Sequence, residues 1–300
     1  MSCRDFSTFP ALLACMTAFV CAGCGAVSTG AMNRSVGDSE GLDPPGPASR
    51  WSRAVPDVPD PEPGRPLVAI VIDDCGVSAD QLEPFLGMPV PLSFSILPYH
   101  PGVQDTIALL AREGLETLVH VPMEPDDPRW LENDWFLTTG MNEQQIRSSL
   151  LRSIEAVPTA SGMNNHMGSK FCANQAAMTT VMQVARDIGI YYLDSRTGIG
   201  SMAGTAAAEQ GARLLERSVF LDNDDDVSLI TRQLEQLIES ARTQGCAVGI
   251  GHARPATARA IREFVNGRDH GVTFVPAGRL FDYCPAAADA PSLPDRTPQE

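Results

Sequence analysis

Lysine is nearly missing from this 300-residue chain: of its 22 Lys and Arg residues, only Lys170 is a lysine. Basic charge is scarce altogether, with 37 Asp and Glu against those 22 and a formal net charge of -15. A surface of that sign repels phosphate backbones and anionic lipid, which excludes nucleic acid and a charged membrane face as partners. The preference for arginine over lysine reflects coding composition more than function. Long apolar runs are also lacking. The stretch "FPALLACMTAFVCAG", Phe9 to Gly23, falls short of the roughly 20 residues that span a bilayer. No internal repeat or heptad pattern stands out, so a solenoid or a coiled coil is excluded. There is no HExxH spacing, and Cys75, Cys172, Cys246 and Cys284 have neither zinc-knuckle nor redox spacing. Any metal site must therefore be assembled from distant parts of the chain.

What is present is ordinary in bulk: 43% hydrophobic and 20% charged residues, the composition of a soluble globular protein. Residues 1–24 have the form of a signal peptide, a short apolar run after Arg4 ending in "CAGC". The Ala-Gly pair before Cys24 resembles a bacterial lipoprotein cleavage site, with Cys21 where leucine is usual. The expectation is export to the periplasm or cell envelope, with membrane contact only through a lipid on Cys24. Residues 25–66 ("GLDPPGPASR", "VPDVPDPEPGRP") are too polar and proline-rich to bury a core and are expected to be a disordered spacer. Residues 283–300 are expected to be a disordered tail, which leaves 67–282 as one domain.

Within that domain, short β-rich runs alternate with amphipathic helical stretches. The strands are expected at 67–73, 92–97, 117–121, 190–194, 218–222, 246–251 and 272–276, the helices at 103–114, 142–157, 174–189 and 227–245. Near-continuous apolar strands between helices mean a mostly parallel sheet covered by helices, an α/β fold. The density of βα units favours a closed or distorted (β/α) barrel over an open doubly wound sheet. Strand ends then carry the polar chemistry: Asp73-Asp74, Tyr99-His100, His120 to Glu124, Asp194-Ser195-Arg196, Asp222-Asn223 and His252. In parallel α/β folds such ends converge. The run "NNHMGSKF", Asn164 to Phe171, has no helical or strand periodicity and reads either as a polar loop with His166 exposed or as part of the same bowl.

One carboxylate with two imidazoles suits zinc or another divalent metal. The candidates are Asp73, Asp74, His120, Glu124, His166 and His252. Neighbouring aspartates on an extended strand point to opposite sides, so both enter one site only through a bend, for which Gly76 is available.

Taken in order, "VAIVIDDCG", "ILPYHPG", "HVPMEP", "NNHMGSKF", "YYLDSRT", "VFLDN" and "IGHARP" resemble the divergent polysaccharide deacetylase family, over about Leu67 to Leu280. It is a branch of the polysaccharide deacetylase superfamily. The resemblance implies a distorted, incomplete (β/α) barrel and a metal-dependent hydrolase, with zinc the expected ion, that removes acetyl groups from an envelope polysaccharide or related carbohydrate. It implies Asp73 as general base, Asp74 and His120 as metal ligands and His252 as general acid. The superfamily's His-x-x-x-His has Glu124 in its second place here, so the third ligand is Glu124 or, preferred, His166, aimed by a turn at Gly168 and Ser169. Asn164, Asn165, Tyr99 and Asp222 are expected at the substrate or behind the ligands, and Asp194 and Arg196 as a pair or as support for His252. The altered motif leaves a second reading, a carbohydrate-binding envelope protein without turnover; a cytosolic enzyme without metal is a third. Cys75 and Cys172 are expected as free thiols, and Cys246 as a small hydrophobe inside its strand.

Overall fold

Nine strands run parallel in a single sheet: β1 (Leu67–Cys75), β2 (Ser93–Ile96), β3 (Glu116–Met123), β4 (Gly162–Met167), β5 (Tyr191–Asp194), β6 (Leu214–Glu216), β7 (Val219–Phe220), β8 (Cys246–His252) and β9 (Thr273–Phe274). This is a computed structural model, and it describes Pro56 and residues 58–284. The expected signal peptide, most of the expected spacer and residues 285–300 lie outside the described residues. The sheet order is β6-β5-β4-β3-β2-β1-β8-β7, with β9 beside the start of β1. Laid flat, eight strands would set β6 and β7 about 34 Å apart. Only Arg217 and Ser218 join them, a reach of about 11 Å at most. The sheet must therefore curl until its ends nearly meet. Since β6 and β7 are not hydrogen-bonded neighbours, the result is an incomplete (β/α) barrel.

Helices cover the outside: α1 (Val103–Arg112), α2 (Glu143–Ala156), α3 (Ser169–Cys172), α4 (Gln175–Ile188), α5 (Ala203–Gln210), α6 (Val227–Gln244) and α7 (Pro255–Val265), while α8 (Leu280–Tyr283) sets Leu280 against the interior core. The larger ones begin and end on local signals. Asn142 and Asn174 cap α2 and α4 through their side chains, and Gly189 and Gly211 close α4 and α5 in the left-handed conformation. None of the described helices is long and apolar enough to cross a membrane.

The two-residue period of the strands sorts side chains between two cores. Val68, Ile70 and Ile72 of β1 pack outward with the helices, whereas Leu67, Ala69 and Val71 join Leu118, Tyr191, Leu193, Val248 and Ile250 in the barrel interior. Continuing that inward parity leads to Asp73 on β1, His120 on β3 and His252 on β8. On β4 the same alternation puts Asn164 and His166 on the interior side and Met163 and Asn165 outside. The segment read from sequence as possibly a loop is thus a strand as far as Met167, and its polar residues hide the alternation.

Two cysteine expectations diverge. Cys75 and Cys172 are free and buried, but Cys246 is disulfide-bonded to Cys284, 38 residues on, with Cα atoms 6.4 Å apart. Position 246 opens β8 at the barrel end opposite the polar strand ends. Helix α8 continues through Tyr283, so the first two residues of the expected tail belong to the folded domain.

Candidate active site

The bend that brings the aspartate pair together lies at Asp74 itself, with φ 58°, and not only at Gly76, with φ 111°. Pairing of β1 with β2 slips between Ile72 and Cys75, the mark of a bulge. Asp73 stays in register with His252 and keeps the inward direction. The left-handed turn then swings the Asp74 carboxylate to the same side.

Three elements meet there. His120 Nε2 lies 3.3 Å from Asp74 Oδ1, His166 Nδ1 lies 3.1 Å from that same oxygen, and the two imidazole nitrogens are 3.2 Å apart. Asp74 Oδ1 is buried, yet accepts no well-directed hydrogen bond. Burial opposes ionisation of Asp74, but the His120 and His166 imidazoles outweigh it and hold the carboxyl well below the ordinary range. Burial likewise works against a proton on His120, while the charges of Asp73 and Asp74 raise its pKa to about 9. Phe136 sets its ring edge-on to His166, with centroids 6.2 Å apart.

Asn164, fully buried, organises this group. Its Nδ2 donates to Asp73 Oδ1 at 2.8 Å, and its Oδ1 accepts from Ser95 Oγ at 2.5 Å and faces His120 Nδ1 at 2.7 Å. An amide oxygen can only accept, so Nδ1 carries a proton in either charge state, and the neutral ring turns the Nε2 lone pair to the triangle. Burial pushes the Asp73 carboxyl above its usual range, and His120 and His252 pull it only part of the way back.

His252 is held from behind by Asp222: Nδ1 sits 2.8 Å from Oδ1, and the His252 backbone N–H donates to Oδ2 at 2.7 Å. Thr257 Oγ donates to Oδ2 at 2.6 Å, which completes the buried carboxylate. Burial disfavours a proton on His252, but Asp222 prevails and raises its pKa. Its Nε2 points to the bowl, 3.8 Å from Asp74 Oδ2.

The remaining sequence candidates do other work. Glu124 is not part of the triangle. Its carboxylate accepts from Lys170 Nζ at 2.7 Å and from the Thr139 N–H and Oγ at 2.6 and 2.7 Å. Those bonds overcome its burial and keep its carboxyl below the usual range. Asn165, on the outer face, clamps β4 to β5 through Tyr192 Oη at 3.1 Å and the Ser195 N–H at 2.9 Å. The side chains of Asp194 and Arg196 do not pair. Asp194 accepts the Arg196 backbone N–H at 2.8 Å, while the guanidinium lies 3.7 Å from Glu216, so neither orients His252. Tyr99 stands half-buried beside His100. Sequence reading missed Ser95, Phe136 and Thr257. Only Ser95 left a signal, as one of the inward serines of "SFSI".

Residues 70–281 match the family model described as divergent polysaccharide deacetylase. The chain belongs to this family. The uncharacterized protein YibQ of Escherichia coli is 34% identical over 215 residues, covering 72% of this chain and 67% of its own. An uncharacterized Haemophilus influenzae protein is 34% identical over 214 residues, covering 71% of this chain and 76% of its own. Among solved structures, an uncharacterized Agrobacterium tumefaciens protein superposes with TM-score 0.70 at 25% identity, over 78% of this chain and 95% of that one. Among the described residues of this divergent polysaccharide deacetylase chain, Asp74, His120 and His166 form a group that could hold a metal, one atom from each lying within 4.8 Å of the others. Glu124, the carboxylate of "HVPMEP", is bonded instead to Thr139 and Lys170.

Proposed function

We propose that the protein is a metal-dependent hydrolase that removes acetyl groups from an envelope carbohydrate, with Asp74, His120 and His166 as the metal ligands. The observation that carries this is the triangle of ligand atoms. A tetrahedral ion with bonds of about 2.0–2.1 Å sets its ligands about 3.3 Å apart, and the three edges here are 3.1, 3.2 and 3.3 Å. One carboxylate and two imidazoles form the donor set of a hydrolytic zinc site, and Asp74 Oδ1 is buried without a well-directed hydrogen bond.

A divalent metal bound there supplies Lewis-acid polarisation of an acyl carbonyl and lowers the pKa of water. The rest is the work of the protein's side chains. Asn164 holds His120 in the tautomer that presents Nε2 and steadies Asp73 through the same amide. Asp73, its pKa raised by burial, accepts a proton from the attacking water. His252, whose protonated form Asp222 favours, donates from Nε2 to the leaving amine or alcohol. The altered second motif does not empty the site, since His166 occupies the third corner; this favours turnover over the binding-only reading. Export to the envelope through residues 1–24 is part of the same proposal.

Metal content and acetate release test it together. Purified protein should carry about one divalent ion per chain and release acetate from acetylated oligosaccharides, with activity lost to a chelator and restored by zinc. Protein that binds sugar but holds no metal and releases no acetate returns the binding-only reading. Recovery in the cytosolic fraction removes the export step.

A further inference from the structure

The "DSRT" stretch after β5 does not orient His252, yet its threonine reaches the strand that carries His166. Thr197 Oγ donates to the Met167 carbonyl at 2.6 Å, and Asn165 Nδ2 donates to the same oxygen at 2.7 Å. Asn165 Nδ2 also lies 3.3 Å from Thr197 Oγ, so the three groups close a small ring of bonds. They close it on the residue that follows His166.

The backbone at that point needs support. Pairing of β4 with β3 continues through His166 to Met167, but pairing of β4 with β5 ends at Asn164 and Leu193. His166 therefore has a paired strand on one side only. On the other side the side chains of Asn165 and Thr197 take over from the ladder. Directly after His166 the chain turns through two left-handed residues, Met167 with φ 54° and Gly168 with φ 94°. A residue with a side chain is strained at such a φ, and it stays there only where surrounding bonds hold it. The two donors on the Met167 carbonyl are bonds of that kind. The loop that supplies Thr197 is itself seated on α3. A Cβ on Gly198 would lie 2.9 Å from Ser169 Cβ, and the Met202 N–H donates to Cys172 O at 2.8 Å.

We infer that Thr197 is a positioning residue for the metal: through the Met167 carbonyl it fixes the backbone that aims His166 at Asp74 and His120. The inference rests on the reading of His166 as a ligand, and the test separates the two. Zinc affinity of the full chain is measured by competition with a chromophoric chelator. Thr197→Val, which keeps the shape and loses the hydroxyl, should weaken it about tenfold, the lower end for a group that orients a ligand. Thr197→Ala should do the same, and Thr197→Ser, which keeps the hydroxyl, should bind zinc as the wild type does. The visible spectrum of the cobalt-loaded protein follows ligand geometry; it should shift in Thr197→Val and return in Thr197→Ser. On a His166→Ala background Thr197→Val should cost nothing further, because the side chain it acts through is gone. An unchanged affinity and cobalt spectrum in Thr197→Val, a loss that Thr197→Ser does not repair, or an equal loss on the His166→Ala background overturns the positioning role and leaves the ligand assignment standing. A His166→Ala protein that holds zinc as tightly as the wild type removes the ligand assignment, and the positioning role with it.

Discussion

Asp74 holds a backbone torsion that side chains rarely adopt, and that torsion lets two successive carboxylates serve one site. Their roles separate on substitution. Asp74→Asn should abolish metal binding while the fold persists, because its side chain stands at a strand end and is 37% exposed. Asp73→Asn should keep the metal and lose acetate release; metal analysis of both purified proteins decides the pair. The two rival third ligands separate in the same way. His166→Ala should weaken metal binding by orders of magnitude. Glu124→Gln should cost less than the 10 to 100-fold typical of a group that supports a ligand, since Glu124 touches none of the three. Measured zinc affinities in the opposite order would put the third ligand at Glu124, just after β3. The aspartate pair and His252 were legible because they end recognisable strands. The pairing of His252 with Asp222, 30 residues away, was not, because nothing local marks an aspartate that supports a histidine on the neighbouring strand.

Sequence periodicity concealed β6 and, within the site, β4. Its alternation is intact, but the inward positions hold Gly162, Asn164 and His166, so no apolar stripe marks it. Gly162 is needed for shape: a Cβ there would lie 2.4 Å from the Tyr191 ring, which fills the barrel interior. Gly162→Ala should therefore destabilise the protein by about 1–3 kcal/mol, read in a urea melt, through displacement of that ring. The segment after β3 depends instead on the ionised Glu124. A carboxyl whose folded pKa lies below its unfolded value of 4.5 stabilises above that pH, and the contribution fades as the pH falls below it. Hydrogen exchange at the Thr139 amide should accordingly speed up below pH 4.5 ahead of the strands. Uniform loss of protection would mean that the clamp is not local.

Across the whole molecule, the two barrel ends are built from different chemistry. Opposite the bowl, Glu116 lies buried in the interior and accepts from Ser93 Oγ at 2.6 Å, Ser161 Oγ at 2.7 Å, Tyr191 Oη at 3.1 Å and the Gly278 N–H at 3.1 Å. That last bond docks the C-terminal segment across the floor, and the Cys246–Cys284 bridge fastens it. Closing a loop of that length is worth about 3–4 kcal/mol. Cys284→Ser should lower the melting temperature by roughly 10 °C with zinc affinity unchanged, since the bridge and the ligands occupy opposite ends; a fall in zinc affinity would couple the two ends. The barrel was legible from strand spacing and motif order. The bridge was not, because Cys246 sits in a strand that reads as plain core.

The link between β6 and β7 makes the wall unequal around its circumference. Everywhere else neighbouring strands are stitched by backbone hydrogen bonds, and the chain between them is free to lengthen. At Arg217-Ser218 the covalent chain itself is the seam, with its amides bonded to Asp194 O on one side and Val248 O on the other, and with Arg217 tied back to the carbonyls of Ser195 and Arg196. Extra residues inserted after Trp130 would only reshape the rim. The same residues inserted at the seam would let the staves spring apart, and a protease cut there would turn a vessel into an open tray.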